Sequence, residues 1–547
     1  STGTGVKNTE AMLLGSRLHR KIQKGMGLGY EAEVSLATAR TLTSPESGES
    51  FTLVVEGRAD GIFPDDDILW IDEIKGVYMD VTSMKEPVFV HKAQAMCYAY
   101  ITACDRDLAQ IGVQMTYCHL ETEAINRFRE VFTKEQITEW FDLLIEQYKK
   151  WAIYEYDWLN KRNLSIRALT FPFDYRPGQK ELAAMAYHTI AGKKKLFIEA
   201  PTGVGKTITT IFPAVKAMGE GITDRIFYLT AKTITRTVAE ECFSLLSEKG
   251  NLSFKPVTIT AKEKMCILDR ISCNPGDCER ARGHYDRVNE AVYDMLTHED
   301  KLTREIILRY ADRHQVCPFE MTLDAALFAD AVICDYNYVF DPNIYLRRFF
   351  QAEKKGEMTV LIDEAHNLVE RGREMYSARL VKEDFLSVNR ILKALERHEK
   401  RPEVSYNLRK FERALDAANK TMLAWKRECD EFEVLEDVGI FQFHLLRVLA
   451  AYELFARDFP IIPERETVLN LFFDVRKFSA ILDGLDEKYR IYTDYDTDGN
   501  FRVKLQCMDP SGKLSDVMDR VRSTILFSAT LLPIRYYKEQ LGGSDED

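Results

Sequence analysis

The sequence is poor in cysteine, lacks long apolar runs and has no surplus of positive charge. Its 547 residues include 11 cysteines, an odd number, and no basic-then-apolar leader opens the chain. Free thiols or metal ligands are therefore expected in place of a disulfide framework. No apolar run approaches the roughly 18 residues that a membrane-spanning helix requires. The formal net charge of −12 excludes a protein coated with positive charge, so any polyanion must bind at local basic patches.

What is present is the length and composition of a large globular protein. A single hydrophobic core stops growing at roughly 250 to 300 residues, so a chain of this length predicts several domains. Hydrophobic residues make up 46% and charged residues 29%, as in ordinary globular proteins. Because no secretory signal is visible, we expect a cytoplasmic location.

The strongest motif is a glycine-rich turn within LFIEAPTGVGKTITTI, residues 196–211. An apolar run typical of a buried strand precedes the turn, and a helix is predicted from about Thr207. Gly203 and Gly205 allow backbone N–H groups to surround phosphate oxygens. Lys206 adds a charge for the β- and γ-phosphates, and Thr207 offers a hydroxyl to Mg²⁺. The predicted nucleotide-binding residues of this phosphate loop are Thr202, Gly203, Val204, Gly205, Lys206 and Thr207.

A second predicted strand, in MTVLIDEAHNL, ends in acidic residues. Ligands of open α/β sheets bind at the carboxyl ends of the strands. We expect Asp363 to hold Mg²⁺ and Glu364 to polarise the attacking water, with His366 also at the nucleotide. By itself the D-E-A-H run is compatible with a solvent-exposed turn. Together with the phosphate loop upstream it predicts a nucleotide hydrolase.

Three further segments add to this pattern. STILFSATLLP carries Ser528 and Thr530 after another apolar run, and FDYRPGQKEL, before the phosphate loop, carries Arg176 and Gln179. FYLTAKTITRTVAEE combines small hydroxyl residues with Arg236, which suit contacts to nucleic-acid phosphates. An amphipathic helix with a polar face is the alternative for this last segment.

In this order the segments resemble the motifs of helicase superfamily two. The resemblance implies that Arg176 and Gln179 lie at the nucleotide, with Gln179 at the adenine. It implies that Ser528 and Thr530 couple hydrolysis to movement, and that residues 227–241 grip the nucleic-acid backbone. A motor domain with a RecA-like parallel sheet, which takes ATP together with Mg²⁺, is the fold that this resemblance implies.

Four cysteines lie between the phosphate loop and the D-E-A-H box. Cys266, Cys273, Cys278 and Cys317 are separated by six, four and thirty-eight residues. Zinc sites favour two close pairs, of which this spacing contains one, whereas a [4Fe–4S] cluster is usually held by four thiolates; zinc remains an alternative. In number, order and position the four resemble the iron–sulfur domain of the XPD-like (DinG-type) helicases. The remaining cysteines are predicted to be packing residues: Cys97, Cys104, Cys118, Cys242, Cys334, Cys429 and Cys507.

The resemblance also implies a domain order. Between His366 and Ser528 the family carries a helical arch domain, and three-to-four apolar spacing in this interval predicts packed helices. We expect a motor domain over 166–547, with an iron–sulfur insertion at 255–325 and an arch insertion at 373–520. Only about seventeen residues follow the S-A-T strand, so the second RecA-like domain of such motors is expected to be absent, with weak ATP binding and little unwinding by this chain.

Residues 1–165 precede the motor and match none of its motifs. FTLVVEGRADGIFPDDDILWIDEIKGV predicts two strands around an acidic turn, residues 64–67. With these four residues as the loop, Asp60, Glu73 and Lys75 point to one face of the sheet. Asp60 and Glu73 become diagonal neighbours roughly 7–8 Å apart, close enough to share Mg²⁺ or Mn²⁺. Lys75 then orients or activates a water, which predicts a phosphodiester hydrolysis site.

Two flanking features complete the pattern. Gln94 and Tyr98 are spaced to share one face of a helix, and His19 lies on another predicted helix. The ordered set resembles the RecB-type branch of the PD-(D/E)xK nucleases. The resemblance implies metal binding by His19, Asp60 and Glu73, catalysis by Lys75, and positioning of the DNA strand by Gln94 and Tyr98.

Together these inferences predict an α/β protein that joins a metal-dependent DNA exo- or endonuclease to an ATP-dependent iron–sulfur DNA helicase. The resemblance implies 5′→3′ movement on single-stranded DNA, and we expect DNA junctions as partners and a role in DNA repair. An alternative from another class is a single-stranded nucleic-acid-binding module with a degenerate nuclease fold. A motor directed to RNA is a third alternative, because such cores contact the backbone and not base edges.

Overall fold

The structure is a computed structural model, which describes residues 9–27, 29–120, 122–201, 203–231, 233–350, 356–460, 462–544 and 546. The chain divides into two compact units, Ser1–Lys161 and Arg162–Asp547. The division after Lys161 falls within one long helix, Lys134–Ala168, and the expected boundary near residue 165 falls within the same helix. No helix in the described part of the chain is long and apolar enough to cross a membrane.

The first unit is built on a five-stranded sheet. Its strands are β1 (Glu31–Thr43), β2 (Ser50–Asp65), β3 (Ile68–Val77), β4 (Gln110–His119) and β5 (Ile125–Thr133). They lie in the order β1-β2-β3-β4-β5, with β3 and β4 parallel and the other neighbours antiparallel. The helices are α1 (Thr9–Gly25), α2 (Phe89–Asp105) and α3 (Lys134–Ala168), and Val81–Ser83 forms a 3₁₀ turn.

Helix α2 packs on the centre of this sheet through small residues. Ala95, Ala99 and Ala103 are fully buried, and side chains of this size let the helix backbone approach the strands closely. Strand β4 is buried along nearly its whole length, as expected of a strand covered on both faces. Strand β5 lies at the edge of the sheet and alternates between exposed and half-buried positions.

The turn between β2 and β3 is tighter than the sequence predicts. Strand pairing continues to Asp65 and Ile68, so the loop consists of Asp66 and Asp67 instead of four residues. Asp66 adopts a left-handed φ of 52°, which aspartate tolerates and which two-residue hairpins use. The predicted loop was wrong because the acidic run does not show by itself where pairing ends.

This register changes the relation between the two candidate acids. Ile71 pairs with Ile62 and not with Asp60. The pairing ends at Gly61 and Asp72, the neighbours of the two acids, and Asp60 Oδ2 accepts from the Ile74 N–H. A shift by two residues preserves the face on which each side chain lies.

The second unit contains a six-stranded sheet and a four-stranded sheet. The strands are β6 (Lys195–Glu199), β7 (Arg225–Leu229), β8 (Pro256–Thr258), β9 (Ala331–Cys334), β10 (Gly356–Asp363), β11 (Ala378–Val381), β12 (Phe432–Leu435), β13 (Tyr489–Tyr495), β14 (Phe501–Cys507) and β15 (Val521–Ser528). The six-stranded sheet is parallel, in the order β6-β15-β10-β7-β9-β8. The four-stranded sheet is antiparallel, in the order β11-β14-β13-β12.

The helices after α3 belong to the second unit. They are α4 (Gln179–Ala191), α5 (Lys206–Gly219), α6 (Thr233–Gly250), α7 (Lys262–Met265), α8 (His284–His298), α9 (Arg304–Arg313), α10 (Pro318–Ala325), α11 (Asn337–Phe340), α12 (Arg347–Phe350), α13 (His366–Met375), α14 (Lys382–His398), α15 (Pro402–Glu428), α16 (Phe441–Asp458), α17 (Arg465–Leu482), α18 (Ser511–Met518) and α19 (Ile534–Gln540). Strands β7, β9 and β10 are buried almost throughout, as in parallel sheets with both faces covered. The predicted α/β class with a parallel sheet is confirmed.

The segment expected to be an iron–sulfur insertion begins later than residue 255. Pro256–Thr258 is strand β8, which forms an edge of the parallel sheet by pairing with β9. A strand of three residues is too short to show a hydrophobic period, so the sequence did not reveal it. Helices α7 to α10 lie between β8 and β9, and the four cysteines lie in the same interval.

The segment expected to be a helical arch, 373–520, contains helices α14 to α17 but also the antiparallel sheet. Its helices and strands share one hydrophobic core, to which α14, α15 and β14 contribute Phe385, Phe411 and Phe501. The prediction of helices alone was incomplete. The period-two pattern of YRIYTDY and FRVKLQC, which matches the alternating burial of β13 and β14 in the structure, was the available sequence signal.

Candidate functional site

The predicted phosphate loop connects β6 to α5, which begins at Lys206. Gly203 and Gly205 have left-handed φ values of 87° and 83°, a backbone conformation that favours glycine at both positions. The Lys206 amino group donates hydrogen bonds to the carbonyl oxygens of Ala200, at 2.8 Å, and Pro201, at 3.2 Å. Thr202 lies outside the described residues. The loop has the curled backbone and the helix N-terminus that phosphate binding uses.

Two residues upstream of the loop hold its backbone. The Gln179 side chain is buried and donates to the Val204 carbonyl oxygen at 2.5 Å, while its Oε1 accepts from the Arg176 N–H at 2.8 Å. The Arg176 guanidinium donates to the Gly203 carbonyl oxygen at 2.6 Å. A Cβ at Gly205 would lie 2.7 Å from Gln179 Nε2, so the glycine also makes room for this contact. The structure thus joins the predicted upstream residues to the phosphate loop.

The D-E pair lies at the carboxyl end of β10. Asp363 Oδ2 accepts from the Tyr228 hydroxyl at 2.7 Å, and Oδ1 accepts from the Glu364 N–H at 2.8 Å. Burial raises the pKa of Asp363 above its usual value. Glu364 has a left-handed φ of 51°, and the Tyr336 hydroxyl donates to the carbonyl oxygens of both acidic residues. Both carboxylate oxygens of Asp363 are therefore held in place.

The D-E-A-H box and the S-A-T motif meet at His366. Its Nδ1 lies 2.7 Å from Ser528 Oγ, 3.1 Å from Thr530 Oγ1 and 3.4 Å from Glu364 Oε2. The strands that lead to the phosphate loop, the S-A-T motif and the D-E-A-H box are β6, β15 and β10, which are neighbours in the sheet. The structure thus gathers these predicted residues at one edge of the sheet, as the order of parallel strands requires.

The segment proposed to contact nucleic acid forms strand β7 and helix α6, with Arg236 in the first turns of the helix. The Arg236 Nε atom is buried and has no hydrogen-bond partner among the described residues. Its charge lies close enough to Cys334 to lower the pKa of that thiol, although burial raises it overall. A strand followed by a helix is compatible with both interpretations of this segment, so the phosphate contact stays a prediction.

The four clustered cysteines are less uniformly buried than cysteines of the core. Cys278 is buried, whereas Cys266, Cys273 and Cys317 are half-buried. Cys317 caps the N-terminus of α10, and burial raises the pKa of its thiol. The Lys262 amino group lies near Cys273 and Cys317.

Of the other cysteines, five are buried, as predicted for packing residues: Cys118, Cys242, Cys334, Cys429 and Cys507. Cys97 is half-buried. Cys104 is exposed, so its assignment to the core was wrong; it lies in the last turn of α2, where the helix reaches solvent.

The candidate nuclease residues converge from α1, β2, β3 and α2. His19 Nδ1 lies 3.5 Å from Asp60 Oδ1, and Asp60 Oδ2 accepts from the Ile74 N–H at 2.6 Å. The Lys75 amino group lies 2.7 Å from Glu73 Oε1. The structure therefore brings both acids, the histidine and the lysine into one region.

Helix α2 completes this region. Gln94 Oε1 accepts from the Lys75 amino group at 3.1 Å, and Gln94 Nε2 donates to the Tyr98 hydroxyl at 3.1 Å. The two residues share one face of the helix, as their spacing predicts. The Tyr98 ring lies against Gly57, where a Cβ would be only 2.6 Å from the ring.

Glu73 is the most perturbed carboxylate of this region. Only 2% of it is exposed, and its Oε2 has no hydrogen-bond partner in the described structure. Burial and the neighbouring Asp60 charge raise the pKa of Glu73 to about 7, against the opposing effect of Lys75. A buried carboxylate with an unpaired oxygen fits a site for a divalent cation, which would satisfy that oxygen and favour the ionised form.

Within the described residues, no group of three or more His, Cys, Asp or Glu side chains is spaced to hold a metal ion. In the first unit the donors are engaged in pairs, His19 with Asp60 and Glu73 with Lys75. Sequence inspection missed Tyr228 and Tyr336, the two buried tyrosines at the D-E pair. No signal pointed to them, because tyrosine is common in buried strands and their neighbours (FYL and CDY) are unremarkable.

The site combines a glycine-rich loop, a lysine and acidic residues at the ends of parallel strands in one sheet. These features define a phosphate-loop nucleotide-binding domain. Residues 230–385 match the family model described as DEAD_2. The curated relatives include "Regulator of telomere elongation helicase 1" of Bos taurus, 23% identical over 299 residues, and of Homo sapiens, 24% identical over 292 residues. These alignments cover 44% and 43% of this chain and 24% of each relative. The chain thus matches about a quarter of the length of these relatives.

Solved structures with weak overall similarity to this chain include two helicase-titled chains. A chain titled "XPD_Helicase" is 15% identical, with a TM-score of 0.43, over 68% of this chain and 61% of that chain. One titled "Truncated XPD" is 15% identical, with a TM-score of 0.43, over 66% of this chain and 97% of that chain. By the family model and the curated relatives, this chain is similar to DEAD_2 proteins and to helicases, which agrees with the predicted resemblance to helicase superfamily two.

Proposed function

We propose that this chain is the ATP-binding part of a DNA helicase of the iron–sulfur type, joined to a metal-dependent DNA nuclease. One observation carries the motor proposal: the phosphate loop, the D-E-A-H box and the S-A-T motif meet at adjacent strand ends. The helicase relatives and the DEAD_2 match support it. Movement in the 5′→3′ direction, DNA junctions as substrates and a role in repair are parts of the same proposal.

At the ATP site each residue has a distinct task. Lys206 neutralises the β- and γ-phosphates, and backbone N–H groups of the loop orient them. Thr207 and Asp363 would hold Mg²⁺, which supplies further charge neutralisation when bound. Glu364 orients the attacking water, and His366 links the site to the hydroxyls of the S-A-T motif. Hydrolysis is thereby connected to the segment proposed to drive movement.

Binding of labelled ATP to the full chain tests this site. Lys206→Ala should weaken ATP binding at least about tenfold, because the phosphates lose a charge-assisted contact. Lys193→Ala is the matched control, since Lys193 forms a surface ion pair with Glu357 that contributes little. Equal ATP affinities of the Lys206→Ala and unmodified proteins would show that the loop is not a nucleotide site.

At the proposed nuclease site His19, Asp60 and Glu73 would hold Mg²⁺ or Mn²⁺, which activates a water and stabilises charge on the phosphate. Lys75 lies against Glu73 and orients that water or the phosphate. Gln94 and Tyr98 position the strand from helix α2. The buried, unpaired oxygen of Glu73 supports a cation here, and residues 1–165 are assigned to a PD-(D/E)xK fold on the same grounds.

Incubation with Mn²⁺ and a labelled single strand separates this proposal from its alternative. Lys75→Ala and Asp60→Ala should abolish cleavage, whereas Lys149→Ala, at a surface ion pair of α3, should not. A single-stranded nucleic-acid-binding module would retain the strand uncut in every variant. Separate incubations with single strands of DNA and of RNA show which polymer is bound and cut.

Cys266, Cys273, Cys278 and Cys317 are proposed to hold a [4Fe–4S] cluster. The support is chemical, because four thiolates are the usual ligands of such a cluster; in the described structure the four thiols are not spaced to hold a metal ion. Protein purified without oxygen should contain about four iron and four sulfide ions per chain. Cys273→Ser should lower both, and Cys97→Ser should lower neither. Stoichiometric zinc without iron would favour the zinc alternative.

A further inference from the structure

A buried tyrosine holds one of the two side chains proposed to bind Mg²⁺. Tyr228 lies in β7 and is fully buried. Its hydroxyl donates to Asp363 Oδ2 at 2.7 Å. This hydrogen bond joins strand β7 to the D-E-A-H box.

The position of Tyr228 is determined by the sheet. It pairs with Leu361 in the adjacent strand β10, two residues before Asp363. Its ring packs against Phe527 of β15 with the ring centres 6.1 Å apart. Three strands of the parallel sheet thus keep the hydroxyl beside Asp363.

The hydrogen bond from Tyr228 fixes one oxygen of Asp363, because the tyrosine hydroxyl donates and the carboxylate oxygen accepts. The other oxygen of Asp363 accepts from the Glu364 N–H. With both oxygens held, the carboxylate has one orientation in which its remaining lone pairs are available to a cation.

We propose that Tyr228 is a positioning residue of the ATP site, which orients Asp363 as an oxygen ligand for Mg²⁺–ATP. It acts through this side chain and does not contact the nucleotide. Hydrogen bonds to metal ligands from such residues commonly change metal affinity 10- to 100-fold. This inference rests on the proposed function of the site as an ATP site.

The competing explanation is that the hydroxyl only satisfies a buried tyrosine, as most buried tyrosines require. The two explanations differ in their dependence on Mg²⁺. A structural role affects nucleotide binding equally with and without the ion. A positioning role affects only the part of the affinity that Mg²⁺ contributes.

The experiment measures the affinity of the full chain for labelled ATP in EDTA and across a Mg²⁺ titration. Tyr228→Phe keeps the ring and removes the hydroxyl. It should leave the affinity in EDTA within about twofold and raise the Mg²⁺ concentration for half-maximal binding about tenfold or more. Tyr117→Phe is the matched control, because Tyr117 is also fully buried and hydrogen-bonded but lies in the first unit. It should change neither quantity.

A double-mutant cycle tests whether Tyr228 acts through Asp363. In an Asp363→Asn background, Tyr228→Phe should cause at most about a twofold further loss, because the group it orients is already altered. An equal loss in both backgrounds, or equal losses in EDTA and Mg²⁺, overturns the inference. Failure of the unmodified chain to bind ATP overturns the proposed ATP site instead. Mn²⁺ affinity of the nucleotide complex, measured by electron paramagnetic resonance, gives a readout independent of hydrolysis.

Discussion

At the scale of single residues, Glu73 shows how an enclosed position changes the chemistry of an ordinary carboxyl group. In water its charge is well solvated, but here it is almost inaccessible and faces Asp60, and its pKa is raised to about 7. Because the pKa is raised in the folded state, the folded chain binds this proton more tightly than the unfolded chain. The contribution of the protonated Glu73 side chain to the free energy of unfolding is complete below about pH 4.5 and is lost as the pH rises through 7.

In EDTA, Glu73→Gln should flatten the pH dependence of the free energy of unfolding between about pH 4.5 and 7. At pH 8 the variant should be more stable by up to about 3 kcal/mol, because it carries no buried charge. Denaturant unfolding at several pH values measures this. Glu130→Gln, at an exposed ion pair with Lys92, is the control and should keep the pH profile of the unmodified chain. An unchanged slope in Glu73→Gln would contradict the assignment.

At the scale of elements, the relation between helix α2 and strand β2 decides where Tyr98 lies. Gly57 leaves space for the Tyr98 ring, and the Tyr98 hydroxyl in turn accepts from Gln94. Neither contact follows from the spacing of residues in the helix, since the spacing shows only that Gln94 and Tyr98 share a face. The approach of the helix to the strand provides the rest.

Gly57→Ala should displace the Tyr98 ring, because the added Cβ would lie 2.6 Å from a ring carbon. Cleavage of a labelled strand should then fall about tenfold to a hundredfold through misplacement of the positioning side chains. Gly25→Ala is the control, since nothing lies within 4 Å of its added Cβ. Unchanged cleavage by Gly57→Ala would show that the position of Tyr98 is not needed.

At the scale of the whole molecule, each unit has its own hydrophobic core, and one buried ion pair begins the second unit. Arg162 lies 2.8 Å from Asp330, and both are almost fully buried. The second oxygen of Asp330 accepts from the Lys255 N–H at 2.8 Å. The last turns of α3 are thereby attached to the segments that precede β8 and β9.

Arg162→Ala should destabilise the second unit by about 3 to 5 kcal/mol, because Asp330 is left buried without its charge partner. Denaturant unfolding should show the loss in the transition that ATP stabilises, provided that the proposed ATP site is correct. Replacing both partners, Arg162→Met with Asp330→Leu, should recover much of the loss, since no unpaired charge remains. Arg167→Ala, at an exposed position of the same helix, should cost little. A similar loss in Arg167→Ala would mean that the helix end matters and the ion pair does not.

The sequence by itself determined the α/β class and the placement of the phosphate loop, the D-E-A-H box and the S-A-T motif at strand ends. These features follow from local patterns, because apolar runs, glycines and terminal acids each appear within a few consecutive residues. The same locality explains the errors. The β2–β3 register, the short strand β8 and the antiparallel sheet among α14 to α17 depend on pairing between distant segments.

Only the tertiary structure decided which side chains meet. His19 came to lie beside Asp60, His366 met Ser528, and the Tyr228 hydroxyl met Asp363. These contacts join residues far apart in the chain, and their geometry is set by strand order and close packing, which no local pattern records. The shifted pKa of Glu73 has the same origin, because burial is a property of the folded molecule.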